Sequence, residues 1–205
     1  MIKTIEDLKI QYKNYGDING KIRREIKDGT YIPIIRGLYE TDKSTPGYYL
    51  SSYIYGPSYL SFDYALSYYG MIPERVTNYT LATYNKQKTK KYITAFGTFI
   101  YRDIPKSAYP FDIVAIEENK YVYYIASKEK AFCDKLYSTK PVTSVKQLKE
   151  MIFIDLRIDI DAFLSLDKEK LGMLIPKYKS KNLMFLQKLM KGETYANYWS
   201  NVEKI

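Results

Sequence analysis

The chain has 205 residues, 46% of them hydrophobic and 27% charged, which is enough apolar material to build a core. It has no histidine and one cysteine, which excludes Ser-His-Asp and Cys-His hydrolysis, histidine-based metal sites, an internal disulfide and cysteine zinc clusters. The start MIKTIEDLK is charged where a signal peptide is apolar, and no run reaches the roughly 18 apolar residues of a membrane span. We therefore expect a cytoplasmic protein with no membrane association.

The formal net charge of +9 is unevenly distributed along the sequence. Residues 84–108 carry a net +5 and residues 168–192 a net +6, whereas residues 1–43 carry only +2. Clustered positive charge is typical of surfaces that face phosphates or acidic partners, although exposed lysines also serve solubility alone.

Two helices are predicted before residue 30. Thr4 is a good N-cap for a short first helix, and a second helix is expected from Asp17 to Gly29. In the second helix isoleucines recur every four residues and predict one buried face, while basic side chains fall on the opposite side or near its edge. The isoleucines are Ile18, Ile22 and Ile26, and the basic residues are Lys21, Arg23, Arg24 and Lys27.

The segment TYIPIIRGLYE (30–40) predicts a β-hairpin that turns at Arg36-Gly37, with Pro33 confining its first strand to a sheet edge. A basic helix followed by a hairpin is the order of a winged helix-turn-helix, in which the helix enters the major groove of DNA. We expect Arg23 and Arg24 to contact bases, and Lys21, Lys27 and Arg36 to complete the DNA-binding face. With only two clear helices and a short turn at 14–17, the module is abbreviated. The alternative is that helix and hairpin merely pack against the rest of the chain.

A linker is predicted at residues 42–47, so that residues 1–43 form the DNA-binding domain and residues 44–205 a second domain. In the second domain we expect a helix at 58–69, then a sheet within 76–126, then helices within 127–191. The predicted strands are 76–84, 92–101, 111–116 and 121–126, and the predicted later helices are 128–138, 144–156, 160–166, 168–175 and 181–190. This order indicates an α+β fold with a mostly antiparallel sheet and C-terminal helices.

A basic segment at residues 85–91 is predicted to be a turn between neighbouring strands. It holds Lys86, Lys88, Lys90 and Lys91 and is flanked by Tyr84 and Tyr92. Lysines beside aromatic rings suit single-stranded RNA or a nucleotide through charge neutralisation and stacking, so we predict a nucleic-acid surface here. A solvated charged loop is the alternative.

Other charged and aromatic residues receive simpler interpretations. Lys177, Lys179 and Lys181 form a third basic cluster that could enter a nucleic-acid contact, whereas the charged residues of 128–130 and 134–135 are expected to be exposed helix charges. Cys133 is expected to be buried. The 24 tyrosines are expected to lie mainly in the core, except that Tyr53, Tyr55, Tyr59 and Tyr69 bracket the turn at 56–57 and line a contact surface.

Asp112 with Glu118-Asn119-Lys120 imitates the D…ExK arrangement of metal-dependent nucleases, and Asp103 could replace Asp112. Such a site needs carboxylates that converge on one Mg²⁺ ion. Because 118–120 is predicted to be a hairpin turn, convergence is not expected, and a nuclease is the third-ranked alternative.

Four sequence blocks occur in a recognisable order: RGLYE (36–40), GPSYLSFDYALSYYGMIPE (56–74), FGTFIYRDIP (96–105) and IASKEKAFCDKLY (125–137). Together they closely resemble the AbiEi family, the antitoxin and transcriptional-regulator half of type IV AbiE toxin–antitoxin systems of abortive infection and phage defence. The resemblance covers about residues 18–137 and does not include the C-terminal helices.

The resemblance implies a winged helix that represses its own promoter by binding inverted repeats, and a second domain that counteracts a nucleotidyltransferase-like toxin without a stable complex. We accordingly expect a non-enzymatic antitoxin with no cofactor or metal, whose partners are promoter DNA, RNA and the toxin that it antagonises. The basic segment at residues 85–91, with Tyr84 and Tyr92, is then the expected surface for antagonising the toxin. The alternative is a DNA-binding transcription factor whose second domain senses a ligand or partner.

Overall fold

The first forty residues form a unit of two helices and a three-stranded antiparallel sheet. The computed structural model describes residues 1–192 of the chain. The elements of this unit are β1 (Lys3–Thr4), α1 (Ile5–Gln11), α2 (Ile18–Lys27), β2 (Ile32–Ile35) and β3 (Leu38–Glu40). The strand order is β1-β3-β2, which confirms the hairpin and the edge position of Pro33 and adds a first strand that was not predicted. Gly37 has φ of +83° in the hairpin turn, a conformation that favours glycine.

A capping side chain fixes the start of each helix in this unit. Thr4 and Asp7 form a capping box at α1, with the Asp7 amide donating to Thr4 Oγ1 at 3.2 Å and the Thr4 amide donating to Asp7 Oδ2 at 2.8 Å. Asp17 caps α2 by accepting from the Gly20 amide at 2.8 Å. Leu8, Tyr12, Ile22 and Tyr31 form the buried centre between helices and sheet, with Ile18 and Ile26 packed against it.

The hairpin ties this unit to the rest of the chain. Ile34 and Leu38 belong to the main hydrophobic core, and the buried carboxylate of Glu40 accepts a hydrogen bond from Tyr121 Oη at 2.9 Å. Residues 1–43 are thus packed directly against residues that follow them in the chain.

Residues 47–68 differ from the prediction. They form α3 (Gly47–Ile54), β4 (Tyr59–Leu60) and α4 (Phe62–Tyr68). The helix predicted from residue 58 begins too early, because Tyr59 and Leu60 pair with two strands inside the main sheet. The chain turns sharply from β4 into α4 at Phe62, whose φ is +52°. The helix α3 was not predicted.

The main sheet has six strands in the order β6-β7-β5-β4-β9-β8. Its further strands are β5 (Tyr79–Thr83), β6 (Lys90–Thr94), β7 (Gly97–Asp103), β8 (Ile113–Glu118) and β9 (Tyr121–Ala126). Three pairings are antiparallel, but β5 with β7 and β4 with β9 are parallel, so the sheet is mixed. The fold is α+β.

The single strand predicted at 92–101 is two strands, β6 and β7, that form a hairpin turning at residues 95–96. Residues 85–91 therefore do not join neighbouring strands, since β7 lies between β5 and β6. The predicted β8–β9 hairpin is confirmed, and Asn119 and Lys120 both adopt positive φ in its turn.

The last part of the chain that the structure describes consists of helices, as predicted. They are α5 (Lys128–Ser138), α6 (Val145–Glu150), α7 (Ile160–Leu164), α8 (Lys168–Leu174) and α9 (Lys181–Gly192). A π-helical turn at Met151–Asp155 extends α6, and a 3-10 turn at Ile175–Lys177 extends α8. The central helix α5 packs against α4, α8 and α9. Within residues 1–192, every helix is too short or too polar to cross a bilayer.

Candidate nucleic-acid interface

The exposed side of α2 carries three cations. Arg23, Arg24 and Lys27 are exposed, and among the described residues none of the three makes an ion pair. Arg24 and Lys27 lie on the side opposite the buried Ile22, and Arg23 lies near the edge of the buried face, as the isoleucine spacing predicts. Free guanidinium groups on an exposed helix can reach base edges or phosphates without first breaking an internal contact.

Lys21 is placed differently from the other basic residues of α2. Its ammonium pairs with Glu25 one turn later and lies 5.7 Å and 5.5 Å from the ring centres of Tyr12 and Tyr15. The hydrogen bond with Glu25 is the main reason that the pKa of Lys21 is raised. Lys21 is therefore engaged within the unit, and the i,i+4 spacing from Glu25 was the signal for it in the sequence.

Arg36 is exposed in the turn of the β2–β3 hairpin. The neighbouring Gly37 carbonyl accepts a hydrogen bond from the Ile5 amide at 2.8 Å, which fixes the turn against the start of α1. A short, fixed turn holds Arg36 in place, so its position does not depend on a long mobile wing.

The basic segment at residues 85–91, here called the lysine loop, is held in shape by Asp103. The amides of Lys86 and Gln87 both donate to Asp103 Oδ2, at 2.7 and 2.6 Å. Lys86 Nζ donates to the Gly56 carbonyl at 3.1 Å and lies 5.0 Å from the Tyr55 ring. The remaining lysines have different settings: Lys88 is exposed in the loop, whereas Lys90 and Lys91 begin the edge strand β6.

The two tyrosines that flank the lysine loop do not form one stacking platform. Tyr84 packs on Tyr109 with ring centres 4.4 Å apart, and Tyr92 packs near Tyr101 at 5.8 Å and Tyr55 at 6.0 Å. Both rings are half-buried in contacts with other tyrosines. A ligand that stacks on this side of the molecule would therefore have to use aromatic residues other than Tyr84 and Tyr92.

The third basic cluster is dispersed. Lys177 Nζ lies 3.6 Å from the centre of the Phe111 ring, Lys179 is exposed with φ of +50°, and Lys181 is the first residue of α9. These lysines surround the entry to α9 but do not converge on one point with the lysine loop in any described contact.

The carboxylates of the nuclease alternative stand apart. Asp112 precedes β8 and Glu118 ends it, so the extended strand separates them by roughly 20 Å. Asp112 accepts from Ser127 Oγ and lies 3.8 Å from Lys170 Nζ. Within residues 1–192 no three His, Cys, Asp or Glu side chains are grouped so that they could hold a metal ion.

The charged residues of α5 overturn the expectation of exposed helix charges. Lys130 and Asp134 are 0% exposed, and Glu129 is also buried, where its Oε1 accepts from the Asp167 amide at 2.9 Å. Only Lys128 and Lys135 remain partly accessible. Cys133 is buried as predicted, and burial raises the pKa of its thiol.

Lys130 and Asp134 are the centre of a buried polar network with Tyr59, Ser61 and Tyr178. Asp134 accepts three hydrogen bonds, from Tyr59 Oη at 2.9 Å, Ser61 Oγ at 2.6 Å and Tyr178 Oη at 2.6 Å. Lys130 Nζ lies 3.3 Å from Asp134 Oδ1 and also reaches Tyr178 Oη at 2.6 Å and the Ala108 carbonyl at 2.7 Å. The network joins α5 to β4 and to the segment before α9.

Burial dominates the proton equilibria of this network. It lowers the pKa of Lys130, against the opposing effect of Asp134, and it raises the pKa of Tyr59 and Tyr178 well above the ordinary value, assisted by Asp134. The phenols therefore remain protonated donors to the carboxylate. A network sealed from solvent and fully hydrogen-bonded is a structural centre rather than a reactive one.

No protein-family model matches this chain, and no curated protein matches it with significant similarity.

Proposed function

We propose that residues 1–43 are a winged helix-turn-helix that binds DNA through α2. The observation that carries the proposal is the element order β1-α1-α2-β2-β3 with sheet order β1-β3-β2, together with three cations on the exposed side of α2. In winged modules the helix before the hairpin enters the major groove and the hairpin contacts the flanking backbone. Arg23 and Arg24 would contact bases, Lys27 and Arg36 phosphates, and Lys21 would orient the helix.

We further propose that the chain is an AbiEi-type antitoxin that represses its own promoter. Support comes from where the matching blocks lie: Glu40 of RGLYE joins the two parts of the fold, and Tyr59 and Ser61 of the second block meet Lys130 and Asp134 of the fourth. Polar residues from separate sequence blocks thus meet in one buried network. This is the expected result if the blocks together specify one fold, as the resemblance implies. The exposed lysine loop is then the proposed surface for antagonising the toxin.

The DNA-binding proposal is tested by a gel shift on the DNA upstream of the chain's own gene. The double variant Arg23→Ala/Arg24→Ala is expected to lose the shift while its thermal melt stays unchanged, because both side chains are exposed. The matched control is Lys140→Ala/Lys146→Ala, which removes two exposed charges elsewhere. Wild-type affinity in the arginine variant would refute the assignment of α2.

The antitoxin proposal is tested by co-expression with a neighbouring nucleotidyltransferase-like gene. We expect the wild-type chain to rescue growth. The variant Arg23→Ala/Arg24→Ala should retain this rescue, whereas charge reversal of Lys86, Lys88 and Lys91 should abolish it. No rescue by the wild-type chain would refute the antitoxin role while leaving DNA binding intact.

A second candidate function is a transcription factor that senses a ligand. A cleft of about 810 Å³ lies between the N-terminal unit and the main sheet, lined among others by Asp7, Leu38, Tyr53 and Lys120. A ligand held there would contact both parts at once and could alter how α2 is presented. A promoter shift that responds to a small molecule, without rescue from any toxin, would favour this function.

A further inference from the structure

A second concave surface, here called the tyrosine groove, lies on the main sheet next to the lysine loop. It has a volume of about 560 Å³ and is lined by Tyr53, Tyr59, Tyr109 and Tyr124 together with Pro57 and Ser58. None of its lining residues is charged. This volume falls within the roughly 300–1,000 Å³ of small-molecule sites, which combine apolar and aromatic walls with a few polar groups.

Ser58 supplies an unsatisfied polar group in this groove. Its side chain is 4% exposed, and its Oγ has no hydrogen-bond partner among the described residues. Leaving a buried hydroxyl unpaired costs free energy, so native structures pair such groups with protein, water or ligand. Ser58 lines the groove, so rotation about its χ1 would bring this hydroxyl to a donor or acceptor on the edge of a ligand.

The aromatic walls favour a flat, neutral ring. Tyr59 is fully buried beneath the groove and packs on the half-buried Tyr109 with ring centres 5.2 Å apart, so the rings that a ligand can reach are those of Tyr53, Tyr109 and Tyr124. Tyr53 and Tyr124 are 48% and 42% exposed, which leaves large ring surfaces open to a ligand. Aromatic side chains stack on any nucleic-acid base, and the base edge provides the hydrogen-bonding groups that Ser58 lacks.

The lysine loop borders this groove at two points. Tyr84, which leads into the loop, packs on the groove residue Tyr109 at 4.4 Å, and Lys86 Nζ binds the carbonyl of Gly56, the residue before Pro57. The carboxylate of Asp103 accepts its hydrogen bonds from backbone amides of the lysine loop. The ammonium groups of Lys86 and Lys88 make no ion pair within residues 1–192, so positive charge borders an aromatic groove.

We propose that the tyrosine groove binds the base of a mononucleotide and that Lys86 and Lys88 take its phosphates. One groove of this size accommodates one base, which favours a mononucleotide over a longer strand. The inference deepens the role proposed above for the lysine loop and rests on it for the phosphates only. Base binding by Tyr124 and Ser58 is independent of both DNA binding and toxin rescue.

Isothermal titration calorimetry of the full chain tests the proposal. The ligands are ATP, GTP, CTP and UTP, the matching nucleosides, inorganic triphosphate and a short single-stranded RNA. We expect at least one nucleotide to bind, its nucleoside more weakly, and triphosphate alone weakest. Tyr124→Ser should weaken binding of nucleotide and nucleoside by about tenfold or more through loss of stacking. Tyr68→Ser removes an exposed ring outside the groove, 54% exposed against 42% for Tyr124, and should leave binding unchanged.

Two further variants separate the base from the phosphates. Ser58→Ala should weaken both nucleotide and nucleoside while the thermal melt stays the same or rises, because the unpaired hydroxyl is gone. Lys86→Ala/Lys88→Ala should reduce nucleotide binding to the level of the nucleoside. Any of four results would overturn the proposal. They are no binding of any nucleotide at millimolar concentration, equal binding of triphosphate and nucleotide, unchanged binding in Tyr124→Ser and Ser58→Ala, and binding of RNA only. Intact growth rescue beside such a failure would leave the antitoxin role standing.

Discussion

Replacing Lys130 by methionine is the sharpest test of the buried polar network. The substitution keeps the length and apolar stem of the side chain but removes the ammonium that faces Asp134 Oδ1, Tyr178 Oη and the Ala108 carbonyl. Both partners of the ion pair are 0% exposed, so the Asp134 carboxylate is left without a counter-charge and without access to water. Removing one partner of a buried pair costs roughly 3–5 kcal/mol.

That loss is large relative to the roughly 5–15 kcal/mol of free energy that holds a domain folded. At about 2–4 °C per kcal/mol for a chain of this size, Lys130→Met should lower Tm by roughly 6–20 °C. Urea unfolding followed by circular dichroism gives the free energy of unfolding, and a thermal scan gives Tm. The midpoint should shift without a change in the slope, since the same surface is exposed on unfolding.

The same helix provides the control. Lys135 pairs with Asp63 at 2.5 Å, but these side chains are 15% and 31% exposed. Lys135→Met should therefore cost about 0–1 kcal/mol. Equal losses for Lys130→Met and Lys135→Met would refute the reasoning, because they would mean that burial of the Lys130–Asp134 pair does not govern its contribution.

Three further predictions concern other parts of the molecule. Lys27→Ala should reduce the slope of log K against log salt for DNA binding by about 0.9, whereas Lys21→Ala should leave the slope unchanged because its charge is held by Glu25; gel shifts at several salt concentrations measure both. Gly37→Ala should destabilise the fold by about 1–2 kcal/mol in urea unfolding, since φ of +83° penalises a Cβ, although the new Cβ meets nothing closer than 3.6 Å. Alkaline titration should show that Tyr59 and Tyr178 ionise only as the chain unfolds, because burial raises the pKa of both phenols well above the ordinary value. Because the unfolded chain loses these protons first, the free energy of unfolding should fall as pH rises above about 10, and circular dichroism beside phenolate absorbance checks this.

Much of the element content was predictable, because it depends on local signals. The caps at Thr4 and Asp17, the turn at Arg36-Gly37 and the helix Lys128–Ser138 all follow from residues a few positions apart. The failures occurred where a short element is stabilised from a distance. Tyr59-Leu60 is only two residues long and is a strand solely because β5 and β9 lie on either side.

The site residues divide in the same way. The isoleucine spacing of α2 predicts that Lys21, Arg24 and Lys27 face outward with Arg23 near the edge. Arg23, Arg24 and Lys27 are exposed, whereas Lys21 is partly buried and pairs with Glu25. Sequence spacing could not place Tyr124 and Ser58 in one groove, because they come from segments that meet only when the sheet assembles. It also gave no sign that Tyr84 and Tyr92 would turn towards separate tyrosine contacts.

The sequence by itself determined the exclusions, the α+β class and the helical periodicities, because composition and apolar spacing act within one element at a time. The tertiary structure alone decided that Lys130 and Asp134 are interior. From sequence alone, a charged residue is predicted to be exposed unless its partners are known. The partners of Asp134 are Tyr59, Ser61 and Tyr178, which lie 44 to 75 positions away from it. Burial of a charge is decided by those distant donors, since only a complete set of hydrogen bonds offsets the loss of water.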